Sequence, residues 1–483
     1  IIAASSPALL AVIDQYSTGV TSFADNATIV RSSIAFNETI NAFGDNDFIY
    51  MGDGALSVLN STGENTFVVV GRFGKNIINL AGGNNRVYLR SPGTSIEQID
   101  VLGADADVHF GPGTTLIVEG QGNGKFFFDQ GDGALTVRGG AVDLSQSHKD
   151  RIVFGAGILP GDIQLSLEGT ELTNVRLTFN GSTDNILLEN EIVSSLSTKH
   201  VSEFEFADGS VLNLAQIQNN PVYVTFNGDF QTFQRIYSPL AETTTVNGSY
   251  NTVLVGTGNS NFIDNGTGNH FFLSASASNS GNTGTHTVTV GQNARITEGG
   301  GRDTFNIGIG SGTTVIQPFG SPRQAGDFDT INFGSGILAS SLYFWAPHVS
   351  SGQVSSYDLN IDLASGDKII LSGTLAARVG TPNVLTPKYV ENFIFADGST
   401  LSLNQVLEQG VHVIAFVDPF FGGPTVDRRF ATWKEITTIV GNNGFVYDGS
   451  GGDQIEDRGF NNHINAGAGA NTIIVGTNTT IQS

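Results

Sequence analysis

Asp448-Gly449-Ser450-Gly451-Gly452-Asp453-Gln454-Ile455-Glu456 differs from the nonapeptide G-G-x-G-x-D-x-U-x, in which U is a large apolar residue, only at its first glycine. Two further nonamers follow, Asp457 to Asn465 and Ala466 to Ile474, so Ile455, Ile464 and Ile473 fall at an unbroken period of nine. Glycines permit a turn too tight for a Cβ. The aspartate turns its carboxylate toward that turn, and the apolar residue points into a narrow core. Such a run predicts a parallel β-solenoid.

The pattern reaches beyond this stretch. Glu298-Gly299-Gly300-Gly301-Arg302-Asp303-Thr304-Phe305-Asn306 fits the same frame with one exchange, again at the first glycine. Gly256-Thr257-Gly258 leads to Phe262 and Gly266-Thr267-Gly268 to Phe272, at a spacing of ten and without the aspartate. The repeats resemble the RTX family, the glycine-rich nonapeptide proteins exported by bacteria. That resemblance implies calcium held between successive turns, and it carries the architecture more firmly than the metal, because most rungs lack the carboxylate.

A larger repeat encloses the small one. Phe204-Glu205-Phe206-Ala207-Asp208-Gly209-Ser210-Val211-Leu212-Asn213-Leu214 is echoed by Phe393-Ile394-Phe395-Ala396-Asp397-Gly398-Ser399-Thr400-Leu401-Ser402-Leu403. Asp150-Arg151-Ile152-Val153-Phe154 likewise recurs as Asp329-Thr330-Ile331-Asn332-Phe333. Between each pair lie alternating segments, Ile163, Leu165, Leu167 in one and Leu359, Ile361, Leu363 in the other, whose period of two predicts half-buried strand. The bracket resembles the haemolysin-type calcium-binding-related module that accompanies RTX repeats. Its Asp-Gly step is also an ordinary hairpin turn, which by itself implies no site.

The fold expected is therefore all-β, with tandem short parallel β-solenoids (RTX-like β-rolls) alternating with compact β modules. The divisions are solenoid 1 over 1–145, module 1 over 146–219, solenoid 2 over 220–326, module 2 over 327–409, and solenoid 3 over 410–483, an incomplete unit. Val222 to Phe226 and Val411 to Phe416 read as strands that open the second and third units. A stop among rungs is expected either of a piece cut from a longer tandem protein or of an end that has been selected.

Composition narrows the function classes. The chain of 483 residues has 62 glycines, 39% hydrophobic and 14% charged residues, too apolar for wholesale disorder and too glycine-rich for a helical protein. No apolar run of about 18 residues is present to span a bilayer, and Ile1 is preceded by no methionine or basic region, unlike an intact signal peptide. The absence of cysteine removes disulfides and thiolate metal sites. A net charge of −23 disfavours nucleic acid and anionic membranes and makes divalent cations the natural counter-ions.

Calcium takes six to eight oxygens at about 2.3–2.6 Å. In the RTX turn, by resemblance, these are backbone carbonyls plus aspartates from two neighbouring rungs. Asp453 and Asp303 occupy the carboxylate position, Asp47 does so in a looser register, and Asp448 and Asp457 flank the best repeat. Asn462 and Asn471 stand where the rungs after Asp453 would carry further acids. The alternative is that these Asx side chains cap turns through local hydrogen bonds. A few calcium ions, rather than a full ladder, are expected.

No catalytic constellation is found. The histidines, at 109, 148, 200, 270, 286, 348, 412 and 463, are scattered, with no two at metal-hydrolase spacing, and there is no G-x-S-x-G elbow, P-loop or dinucleotide fingerprint. Ice binding would need threonines stacked over many rungs, and Thr285, Thr287 and Thr289 supply one such element. The expected role is a calcium-stabilised structural or adhesive component of a bacterial extracellular surface, with secretion by a type I system implied by the resemblance; rungs that run on after Ile474 without proline, charge or helix are expected to associate head to tail into a filament or array. A non-catalytic calcium-binding accessory region of a larger secreted RTX enzyme or toxin is the second expectation.

Overall fold

The computed structural model describes residues 11–13, 20–23, 25, 28–30, 38–51, 56–70, 75–89, 96–101, 105–119, 123–139, 150–169, 172–192, 201–236, 238–273, 284–318, 328–347, 357–375, 390–417, 425–428, 431 and 433–482. Strand dominates. Among the described residues, helix is confined to Leu403–Gln409 and to short 3-10 turns such as Pro160–Asp162 and Ala339–Ser341. None is long and apolar enough to cross a membrane. The all-β, β-roll-like architecture read from the nonapeptides is what the chain adopts.

Successive strands alternate between two parallel sheets, which explains the period of nine: one coil consumes two nonamers and sends a strand to each sheet. Ile455 pairs in register with Ile473 on one sheet, while Ile464 pairs with Ile481 on the other. In the first solenoid Ile49, Val68, Val87, Val108, Phe126 and Ile152 form one inward column, each directly paired with the next. Ile40, Leu59, Ile78, Ile99, Ile117 and Val137 form the facing column. All twelve are at most 1% exposed. Each such side chain stabilises the fold by about 1.5–3 kcal/mol relative to exposure.

Between the columns and the turns, glycine and asparagine divide the labour. Coil stacking brings the carbonyl oxygen of Gly228 to 1.5 Å from where a Cβ on Gly248 would stand, and that of Gly248 to 1.9 Å from a Cβ on Gly266. Glycine is needed there for close approach between coils. Many left-handed turn positions are instead held by asparagine, with Asn46, Asn65, Asn84, Asn293, Asn443, Asn461 and Asn478 at φ between 53° and 60°, a region that Asn tolerates better than other side chains apart from the glycine that fills the rest.

The chain clusters into two compact units, 1–222 with 237–241, and 223–236 with 242–483. In the first unit Ile163–Glu168, Asn174–Phe179 and Asn185–Glu189 form an antiparallel set whose last strand lies parallel to Gly133–Gly139 of the solenoid. Val201–Glu205 adds to the other sheet beside Asp150–Phe154. The second unit repeats this plan: Leu342–Ala346, Tyr357–Leu363 and Lys368–Leu375 are antiparallel and join Thr313–Pro318, while Val390–Ile394 joins Asp329–Phe333. The modules thus extend the sheets of their solenoids. Phe204, Phe206, Phe393 and Phe395 are buried at period two. The Asp-Gly turns match as well, with Gly209 at φ 83° and Gly398 at φ 82°.

A row of rings runs along the outward face of the first solenoid. Phe48, Phe67, Tyr88, His109 and Phe127 stack face to face with centroids 5.4, 5.0, 4.2 and 4.1 Å apart. The three inner rings, Phe67, Tyr88 and His109, have a neighbour on each face. The row therefore ties coils together, as cross-strand aromatic pairs do.

Candidate metal centre

The turn carboxylates and amides make one recurring bond: an Oδ1 accepts the backbone N–H of the preceding coil. Asn85 takes the N–H of Thr66, Asn251 that of Gln231, Asn269 that of Asn251, Asp303 that of His286, and Asn462 that of Gly444. Asp453 accepts from Glu435 at 2.8 Å, and its own N–H donates to Asn471 at 2.9 Å. An amide does this as well as a carboxylate, which is why asparagine replaces aspartate on so many rungs. Carboxylates with capacity beyond that bond are the informative ones.

Asp453 and Asp448 have it. Both are buried, and beyond the N–H of Gly449 that Asp448 Oδ1 accepts at 3.0 Å, neither Oδ2 meets a donor group among the described residues, while the Asp448 carboxyl lies within hydrogen-bond reach of the Glu435 side chain. Burial, with the charges of Glu435 and Asp453 alongside, pushes Asp448 up to about 8. Burial, together with the charge of Glu435, pushes Asp453 up to about 6. Asp457 differs. Its Oδ1 accepts from Gly459 N–H and Asn462 Nδ2, and its Oδ2 from the Thr479 hydroxyl, so donors of the protein already occupy both oxygens.

The other two sequence candidates lie elsewhere. Asp303 is buried with Oδ1 on the His286 N–H, and its own N–H donates to Asp329 Oδ1 at 2.8 Å. The His286 ring is fully buried, neither nitrogen has a hydrogen-bond partner among the described residues, and burial pulls it down to about 4. Asp47 is buried in the first unit, where its carbonyl accepts the N–H of Phe67. Of the five, the structure brings together Asp448 and Asp453. His148, His200 and His348 lie outside the described residues.

What joins Asp448 and Asp453 is a pair that sequence reading missed. Arg428, fully buried, donates through Nε to Glu435 at 3.1 Å and also through Nη2, while Trp433 Nε1 donates to the same carboxylate at 3.1 Å. The second solenoid holds the same pair in Arg235 and Glu242, with Nε donating at 3.0 Å. The signal was available: Arg and Glu seven apart, with Gly six further on, occur at Arg235, Glu242, Gly248 and at Arg428, Glu435, Gly441. Extending this alignment places Val255 opposite Asp448 and Ser260 opposite Asp453. Ser260 Oγ accepts the Glu242 N–H, as Asp453 accepts that of Glu435. The third solenoid has therefore added two buried carboxyls around an ion pair that is complete without them.

Oxygen donors, two of them buried acceptors without donors, fit a hard cation such as calcium. Among the described residues no three His, Asp or Glu side chains are arranged to hold a metal by themselves, so backbone carbonyls of the turn would supply the remaining ligands.

A family model described as a haemolysin-type calcium binding protein related domain matches residues 174–216. No curated protein matches the chain. The matched segment lies within the first module, and the match supports an RTX-like calcium-binding-related module there. Its own carboxylates are engaged in turns: Asp184 accepts the N–H groups of Gly131 and Gly133 and the Ser182 hydroxyl, and Asp208 accepts the N–H and hydroxyl of Ser210. Asp367 and Asp397 repeat these two arrangements in the second module.

Proposed function

We propose that the chain is a non-catalytic, calcium-stabilised structural or adhesive part of a bacterial extracellular assembly, exported by a type I system. The observation that carries the calcium is the pair Asp448 and Asp453, two buried carboxyls crowded against Glu435 where the matching positions of the second solenoid hold Val255 and Ser260. An unmet buried acceptor costs about 1–3 kcal/mol, more if charged, and a divalent cation would remove that cost. Export is supported by the match to a calcium-binding-related module, since calcium at millimolar level is an extracellular condition.

Binding to the folded state alone stabilises it by about 2.7 kcal/mol at a hundredfold excess over Kd. Melting followed in chelator and in millimolar calcium should show that gain, and equal melting temperatures would remove the metal. Assembly is the second part of the proposal. The edge strands of a coil stack expose unpaired backbone groups, so one copy's edge pairing with another's would build a filament or array. Electron micrographs of the same two solutions should show polymers in calcium; monodisperse particles at high concentration would end that part of the reading.

A further inference from the structure

Two turns of the second solenoid break the rule that the left-handed position belongs to asparagine or glycine. Phe230 and Tyr250 both sit there, each at φ 57°. The turn is the ordinary one: the N–H of Phe230 donates to Ser249 and that of Tyr250 to Thr267 in the next coil, as Asn443 donates to Phe460 and Asn461 to Thr477. Tyr250 occupies the place of Asn443 when the Arg-Glu-Gly spacings are superposed. A bulky side chain is strained at positive φ. Burial does not offset the strain, since Phe230 is 76% and Tyr250 57% exposed.

The pair is nevertheless built. The two rings stack with centroids 5.2 Å apart and planes 10° from parallel. The next coil carries Gly268 at the same turn position, and a Cβ there would come within 2.8 Å of the Tyr250 ring, so that glycine makes room for it. Unlike the row along the first solenoid, whose inner rings are covered on both faces, this stack has two members, and the Phe230 ring is largely open. The same turns carry an exposed amide ladder, with Asn265 Nδ2 donating to Asn247 Oδ1 and Asn247 Nδ2 to Asn227 Oδ1, each at 2.9 Å. The three turns, 227–231, 247–251 and 265–269, contain no Lys or Arg.

An open aromatic face on turns that also carry a line of amides, with no cation, suits a ligand with an apolar C–H face, a hydroxyl edge and no negative charge. We propose that Phe230 and Tyr250 form a subsite for a neutral polysaccharide, with one pyranose lying on the Phe230 ring and its hydroxyls reaching the amide ladder. A protein partner would find only two rings of apolar area within a polar rim, far less than a stable interface buries.

The test is retention of the full chain, in calcium, on microcrystalline cellulose, chitin and insoluble β-1,3-glucan, with the double variant Phe230→Asn and Tyr250→Asn alongside. The parent should be retained on at least one of the three, and the variant should lose affinity by about tenfold or more. Its melting temperature should hold or rise, because asparagine suits the turn. A parent that binds none of them, a variant retained equally well, or a variant that melts lower would each overturn the proposal, the last by making the stack structural. A variant that alters only self-association would assign the rings to a protein interface instead. The calcium reading stands or falls separately, on melting in chelator.

Discussion

At Asp448 a carboxyl occupies the place of a core valine, and its protonation should govern the metal-free protein. An aspartate pushed from 3.8 to about 8 binds more protons folded than unfolded, so without metal it lowers stability as pH rises from about 4 to about 8. Asp448→Val, which installs the residue found at 255, should therefore raise metal-free stability at pH 8 by ~1–3 kcal/mol. The gain should shrink at pH 5, where the carboxyl is neutral, and the increment due to calcium should be lost. Urea titrations at the two pH values in chelator check this; equal destabilisation at both would show that Asp448 serves packing. Asp453 was legible because the nonapeptide fixes its position, and Asp448 because it replaces the motif's first glycine. Arg428 and Glu435 were missed, since they precede the first clear nonamer, a period of nine does not connect them, and their spacing stands out only when the second and third solenoids are aligned.

Among the elements, the buried Arg–Glu pairs of the second and third solenoids carry the largest expected effect. Arg235→Ala leaves Glu242 buried without its cation and should cost about 3–5 kcal/mol, whereas Arg235→Met with Glu242→Leu should cost much less. Denaturant midpoints of the two variants decide it, and similar losses would mean that shape rather than charge is what the site requires. The spacing recurs at Arg31, Glu38 and Gly44, with Arg31 outside the described residues. Strand positions were readable from alternation and from Ile455, Ile464 and Ile473. The glycine rule was readable only in part. Sequence shows that glycines recur, but only coil stacking shows that Gly248 is needed for the approach of the Gly228 carbonyl, while many of the left-handed turns belong to asparagine.

At the scale of the whole molecule, the repeated F-A-D-G-S and D-x-I-x-F segments fall on matching strand pairings in the two units, with Phe204 and Phe393 both buried. That the modules add strands to the solenoid sheets could not be read locally, because pairing such as Gly133–Gly139 with Asn185–Glu189 joins residues far apart in sequence. The in-register parallel coils also bear on how the chain answers a pulling force. Within a coil stack the described strands pair with those of the coils on either side, so tension along the chain opens the stack like a zip, one coil at a time. An 18-residue coil such as the one from Ile455 to Ile473 would release ~60 Å of contour length. Single-molecule extension should then show a staircase of steps of that size, each borne at low force, and pauses where an Arg–Glu pair must be broken. A single large rupture for each compact unit would show instead that the coils yield together.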